Sequence, residues 1–275
     1  MDRTDTRLLF RPLCASVVSL LRALSRDQWE RPTAGAWRVR DTAAHLLDTC
    51  LRRLSFHRDG LPPLAPPPSA GGEPDLLAFI NGLNASWVNA AKRLSPRVLT
   101  DLYERASGDL CTFVEQLADD APALFPVSWA GDVESPGWLD IGREFTEIWH
   151  HGAQIRHAVG AGPYEQPRWL RAVLEISLRA LPHAYRDVRA PEGTSLAIRI
   201  SGPSGGSWVL RRSAVRWDLD EGSASGPTSI LSMTDEAAWR LLYNALSAGE
   251  PAELVSVEGV REFAVPLLQA RSVIV

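Results

Sequence analysis

Cysteine is scarce in this chain, and the three present, Cys14, Cys50 and Cys111, stand far apart. They form no Cys-x-x-Cys motif and no even set, so nothing suggests a disulfide framework, and a reducing cytoplasm fits best. They read as small buried apolar residues rather than redox or nucleophilic groups. Long apolar runs are also lacking. The stretch from Leu8 to Leu24 is interrupted by Arg11 and Arg22, and no small-residue cleavage site follows it. Neither a membrane helix nor a signal peptide is expected there. Basic excess is absent too: the net charge is −4, with no long block of like charge, so nothing points to nucleic acid. Lysine is reduced to Lys92 alone, a compositional bias with no mechanism attached. The sequence holds no Gly-rich phosphate loop, no nucleophile elbow and no internal repeat.

What is present is ordinary globular material: 275 residues, 45% hydrophobic and 23% charged. This length suits one large or two ordinary domains. The N-terminal part reads as helices. Leu9, Leu13, Val17, Leu20, Leu21 and Leu24 give a first helix over roughly 5–25. After a turn at 31–36, a second runs past His45 toward Arg58, with Ala43, Leu46, Leu47, Leu51 and Leu54 available for packing. The proline-rich stretch 61–72 reads as an extended loop. A third helical stretch covers 74–94 and carries Asn81 and Asn84. A further one covers 98–119, with Val98, Leu99, Leu102 and Leu110 as packing residues. A loop over 120–138 holds Trp129 and Trp138, which either wall a pocket or cover the bundle end.

The next helix, roughly 139–159, carries the most chemistry. Phe145, Ile148, Trp149, Gly152 and Ile155 share its apolar side, while Glu147, His151 and Gln154 fall at i, i+4 and i+7 on a polar stripe. A carboxylate and an imidazole one turn apart can bind one metal ion, and both donors suit zinc. His45 is the best third candidate, and three protein ligands would leave an open position. His150 is a rival ligand, at i+3 from Glu147. The plain alternatives are a solvated Glu147–His151 pair and a satisfied histidine at position 45. Arg143 and Arg156 lie near the stripe; either could hold a carboxylate of a bound small molecule, but surface salt bridging is the favoured reading.

After Gly160-Ala161-Gly162-Pro163 the composition changes. A helix over 167–183 precedes strand-like runs at 195–200, 208–210, 215–219 and 229–233. Thr234-Asp235-Glu236 opens a helix running to about Ala248. A last strand at 255–257 and a closing helix at 260–270 complete a small α+β domain. The expected division is therefore a helical bundle over 1–163 and an α+β domain over 164–275.

The Trp37-Arg38-Val39-Arg40-Asp41 run leading to His45, followed by Glu147-x-x-x-His151 and Ile155-Arg156-x-Ala158-x-Gly160, resembles the DinB-like superfamily. More narrowly, it is similar to the mycothiol-dependent maleylpyruvate isomerase family, and the resemblance covers nearly the whole chain. It implies an N-terminal four-helix bundle holding a divalent metal, usually zinc, on one His of the second helix and a Glu-x-x-x-His pair of the fourth: here His45, Glu147 and His151. It implies a smaller C-terminal α/β-type domain, which the residues read as α+β. It also implies mycothiol, or another low-molecular-weight thiol, as co-substrate for S-transfer or thiol-assisted isomerisation of a small electrophile. Two positions depart from the family pattern. Gln154 stands where Asp is frequent, which bears on hydrogen bonding around the ligands. Arg38 stands where Ser or Thr would cap the second helix. The ligand set by itself suits a metal-dependent hydrolase equally, and a non-enzymatic metal-binding or regulatory protein is the third reading.

Overall fold

The computed structural model describes residues 4–65, 73–118, 120–131, 134–246 and 254–273. Their contacts divide into two compact units. The first comprises 5–124 and 136–165, the second 1–4, 125–135 and 166–275. The division at 163/164 expected from the sequence does not anticipate that 125–135 packs with the C-terminal unit, since nothing in its composition marks it off.

The first unit is helical. Its elements are α1 (Arg7–Ala23), α2 (Arg26–Trp29), α3 (Val39–Arg53), α4 (Glu73–Ala91), α5 (Pro96–Glu115) and α6 (Gly137–Val159). A wider-wound turn, Leu54–Arg58, extends α3, so the chain stays helical to Arg58 as expected. Four helices close a ring: α1 packs on α5, α5 on α3, α3 on α6, and α6 back on α1. Leu9, Phe10, Leu13, Val17 and Leu21 supply the buried stripe of α1. Phe10 meets Phe145 of α6 edge-on, with ring centroids 5.7 Å apart. The fifth long helix, α4, leans on α3 outside the ring. Its apolar residues are accordingly half-covered, with Val88 and Ala91 the buried ones among the residues whose burial is described, and Trp87 donates its indole N–H to the Ala44 carbonyl at 2.8 Å. Of its two asparagines, Asn81 is exposed, while Asn84 accepts from Arg52 at 3.2 Å.

Three packing expectations are corrected. Leu51, Val98 and Leu102 are exposed, because each sits on the outer side of a helix whose inner stripe is already filled. Trp138 lies in the first turn of α6 rather than in the loop. Residues 61–65 are extended, while 66–72 of the expected loop lie outside the described residues.

Helix ends follow elementary capping chemistry. Arg38 has no side-chain acceptor to cap α3. Instead the Asp41 carboxylate reaches back to accept the Arg38 backbone N–H at 3.0 Å. Ser95 caps α5 through the Val98 N–H, with Pro96 in the first turn. α6 ends at Gly160, φ +72°, and the Ala161 N–H returns to the Arg156 carbonyl at 2.9 Å. That six-to-one bond needs the left-handed residue glycine supplies.

The second unit is built on a five-stranded sheet ordered β3-β2-β1-β4-β5. Its strands are β1 (Ser195–Ser201), β2 (Gly206–Arg212), β3 (Trp217–Glu221), β4 (Ser229–Thr234) and β5 (Ser256–Gly259). β1 and β4 run parallel; the other pairs are antiparallel. The register puts Leu196 beside Leu210, Leu210 beside Leu219, and Ile198 beside both Trp208 and Leu231. One face is thus continuously apolar. Among the described residues the α-helices of this unit are α7 (Pro167–Ser177), α8 (Ala180–Ala184), α9 (Asp235–Leu242) and α10 (Ala264–Gln269). α9 packs on β1, β4 and α7, and α8 packs on β3.

The single helix expected over 167–183 is two helices. Pro182 cannot donate to the carbonyl of Leu178, and its ring clashes there, so α7 stops and α8 restarts. Val215 is 82% exposed and precedes β3 instead of belonging to it. Ser213 and Arg216 close a turn around it. α9 is capped by Thr234, which accepts from the Ala237 N–H at 3.1 Å. It ends at Leu242, short of the expected Ala248; residues 247–253 lie outside the described residues.

Candidate metal centre

His45 sits in the second turn of α3, and Glu147 and His151 sit one turn apart on α6. Packing of α3 on α6 brings the three together. Each offers a ligand atom, and these atoms all lie within 4.8 Å of one another. The arrangement centres on one oxygen: His45 Nε2 donates to Glu147 Oε1 at 2.9 Å, and His151 Nε2 donates to the same oxygen at 3.1 Å. The two imidazoles are edge-on, centroids 4.8 Å apart. Ligands held at ~2.0–2.1 Å around a tetrahedral ion stand about 3.4 Å apart, so a zinc-sized ion asks little movement of these three groups. His45 Nδ1 is buried and has no hydrogen-bond partner among the described residues.

Charge and burial act in opposition here. Burial depresses the His45 pKa, and the hydrogen bond to Glu147 only partly offsets it. Burial would depress His151 as well, but the Glu147 carboxylate and the Gln154 acceptor outweigh it and raise its pKa. For Glu147, burial favours the neutral acid, yet the two imidazoles hold it well below the usual carboxylate range. Its side chain keeps 31% exposure, against 5% and 12% for His45 and His151, so it is the least enclosed of the three.

Surrounding groups fix the three. Gln154 Oε1 accepts from His151 Nδ1 at 2.8 Å, so the glutamine retains a hydrogen bond to the histidine. Gln154 Nε2 in turn donates to His150 Nε2 at 3.0 Å. His150 is buried, and burial with the nearby His151 charge pushes its pKa down to about 3. It stands outside the three-residue cluster. Trp37 spreads over the imidazoles, 5.1 Å from the His45 ring and 6.2 Å from that of His151. In the sequence Trp37 stands out only as part of a motif; an aromatic two residues before a helix carries no signal that it will cover histidines.

Two turns away lies a buried ion network that holds α3 against α6. Arg53 grips Asp140 with both terminal nitrogens, at 2.8 and 3.0 Å, and Glu144 at 2.7 Å. Asp140 also accepts from Arg143 and from the Leu124 backbone N–H, each at 2.8 Å. Arg143 is therefore tied to Asp140 and Glu144. Arg156 donates to the carbonyls of Ala161, Gly162 and Pro163 and lies over the Tyr164 ring, closing the turn after α6.

Comparison with known proteins gives a consistent assignment. The family described as the mycothiol maleylpyruvate isomerase N-terminal domain matches residues 10–156. Among solved structures, one described as the mycothiol-dependent maleylpyruvate isomerase is similar at TM-score 0.54 and 13% identity, covering 94% of this chain and 93% of that one. A histidine-to-alanine mutant of a protein so described matches at TM-score 0.53 and 13% identity, covering 92% and 91%. At such identity these likenesses show the fold. No curated protein sequence matches. With the family match spanning more than half its length, the chain belongs to the mycothiol maleylpyruvate isomerase N-terminal domain family.

Proposed function

We propose that His45, Glu147 and His151 hold a divalent metal ion, zinc by the chemistry of the donors, and that the protein is an enzyme activating a low-molecular-weight thiol such as mycothiol. The thiol would serve S-transfer to, or cis–trans isomerisation of, a small electrophilic substrate. One observation carries the reading: two imidazole Nε2 atoms from different helices converge on a single carboxylate oxygen. Two neutral nitrogens and one anionic oxygen are a donor set suited to an open catalytic site. A divalent ion bound there would supply the Lewis acidity that deprotonates a coordinating thiol at neutral pH.

The chain's own groups have defined parts in this proposal. Glu147 brings the negative charge. Trp37 covers the imidazoles with an apolar surface, which strengthens electrostatic interactions beneath it. His150 has Nε2 engaged with Gln154, and burial pushes its pKa down to about 3, which makes it a weak proton acceptor at neutral pH and a poor general base. The family membership favours a thiol over water as the exchangeable partner; two solved structures similar to this chain along more than nine-tenths of its length are described as mycothiol-dependent.

The test is to load the protein with zinc and assay a small unsaturated electrophile with and without mycothiol or a simpler thiol. The proposal expects product only with thiol. Ester or amide hydrolysis with no thiol requirement would replace it with a hydrolase, and metal binding without turnover of either kind would indicate a binding protein.

A further inference from the structure

The three cysteines stand far apart in sequence, yet two of them meet in the bundle. α1 packs on α5, and polar rungs between them fix an antiparallel register. Arg7 Nη1 donates to the Leu117 carbonyl just past α5 at 2.6 Å, Arg11 donates to both Glu115 oxygens at 2.9 and 2.7 Å, and Arg22 pairs with Glu104. Midway between the Arg7 and Arg22 rungs lie Cys14 and Cys111, and the Cys14 thiol donates a hydrogen bond to the Cys111 sulfur. Both residues are enclosed, at 4% and 1% exposure. The enclosure is one layer deep: Arg11, one turn before Cys14, and Glu115, one turn after Cys111, are exposed. Pro12 also stands inside α1, two residues before Cys14. It has no N–H for the Leu8 carbonyl, so α1 lacks a helical hydrogen bond beside the pair, where local opening is easiest.

We propose that Cys14 and Cys111 form an oxidation site that takes hydrogen peroxide and closes to a disulfide joining α1 to α5. Cys111 is the attacking sulfur. The hydrogen bond from Cys14 lowers its pKa; burial opposes this, and the Arg11 guanidinium assists it. In the first step the Cys111 thiolate forms a bond to one peroxide oxygen, the O–O bond breaks, and hydroxide leaves to become water with the proton Cys111 gave up. In the second, the Cys14 sulfur attacks the Cys111 sulfenic acid. The S–S bond forms, the S–O bond breaks, and the departing oxygen takes the Cys14 proton as a second water. Two thiols are oxidised to one disulfide and one peroxide is reduced to two waters. Hydrogen peroxide is scarcely larger than water, so packing that excludes a bulky thiol reagent still admits it. The sulfurs, already in hydrogen-bond contact, need only close to about 2.05 Å. Neither α1 nor α5 carries His45, Glu147 or His151, so the inference stands apart from the metal reading.

The test uses the full-length, fully reduced protein. It is treated in its native state with a small molar excess of hydrogen peroxide, quenched with catalase, and unfolded in guanidinium for thiol counting and for mass spectrometry of unreduced peptides. The expectation is a fall from three free thiols to one, with the Cys14 and Cys111 peptides joined at the cost of two hydrogens and Cys50 still a thiol. Cys50→Ser is expected to form the same bridge. Cys14→Ser is expected to form none and to leave a Cys111 sulfenic acid that dimedone traps. The wild-type peptide map decides the matter even if a variant does not fold. Three thiols remaining after a dose that oxidises free cysteine, or a bridge that uses Cys50 or links two chains, would overturn the proposal.

Discussion

Replacing Asp140 by Asn gives the sharpest stability prediction. The Asp140 side chain is 0% exposed and that of Arg53 is 2% exposed, so neither charge can turn to water once its partner is gone. Asp140→Asn keeps the shape but removes the charge from a carboxylate that now accepts from Arg53, Arg143 and the Leu124 N–H. Leaving one member of a buried ion pair uncompensated costs about 3–5 kcal/mol. Glu144 still contacts Arg53 at 2.7 Å, which places the expectation at the lower end, about 3 kcal/mol. For a cooperative unit of this size that is a drop in Tm of about 6–12 °C.

The pH dependence has a defined sign. Burial would raise the Asp140 pKa, but Arg53 and Arg143 hold it far below the ordinary carboxylate value. Its contribution is therefore complete above the unfolded-state pKa of about 3.9 and is lost as pH falls toward the depressed folded value. Thermal unfolding followed by circular dichroism at pH 7 and in steps down to pH 3 checks both points. The gap between wild type and variant is expected to be widest at pH 7 and to narrow below about pH 4. A Tm change under about 1 °C at pH 7, or a gap constant down to pH 3, would refute the reasoning. The same pair matters to the site. Arg53 lies eight residues from His45 and Asp140 seven from Glu147, two turns or about 10–12 Å along each helix. The ion pair is a second rung that sets the register bringing His45 to Glu147, so Asp140→Asn is also expected to weaken zinc binding.

Other outcomes follow from particular contacts. A Cβ on Gly152 would fall 1.9 Å from the Tyr164 hydroxyl and 3.2 Å from Val17 Cγ2. Gly152→Ala is expected to cost about 1–2 kcal/mol in urea unfolding, and Gly152→Ala with Tyr164→Phe to be more stable than Gly152→Ala alone. Thr234→Ala removes the cap of α9 and should cost about 1 kcal/mol by the same assay; no loss would mean that the Ala237 N–H finds another acceptor. Cys14, Cys50 and Cys111 are all buried; the hydrogen bond shared by Cys14 and Cys111 raises the Cys14 thiol pKa, with burial adding to it, and lowers that of Cys111, while burial raises that of Cys50, so enclosure is what shields all three. A thiol-specific chromogenic reagent should therefore label none of the three within minutes in the native protein and all of them in guanidinium; rapid native labelling would contradict their packing role.

Periodicity carried much of this fold in the sequence. The stripe Phe145, Ile148, Trp149, Gly152 and Ile155 is buried as the spacing implies, and the strand runs near 195–200, 208–210 and 229–233 lie in the sheet. What periodicity could not decide is which four of five amphipathic stretches close the ring. α4 and α5 read alike, and only packing sends α5 inside and leaves α4 on the flank. The α7–α8 break was available in Pro182, outweighed by the apolar pattern on either side. Glu147 and His151 announced themselves because one helical turn separates them. His45, 102 positions from Glu147, was legible only as a third candidate on its own helix, and the family resemblance is what joined it to the pair. The Arg53–Asp140 pair, 87 residues apart, had no local signal, and neither had Trp37 as a cover for the imidazoles.

The metal content of the purified, zinc-reconstituted protein, measured by mass spectrometry for wild type, His45→Ala and His151→Ala, is the decisive quantity. About one divalent ion per chain in wild type, lost in both variants while the fold is kept, is the predicted result. A wild type that retains none after exposure to zinc, nickel, manganese and iron, or a bound ion indifferent to both substitutions, would contradict the account.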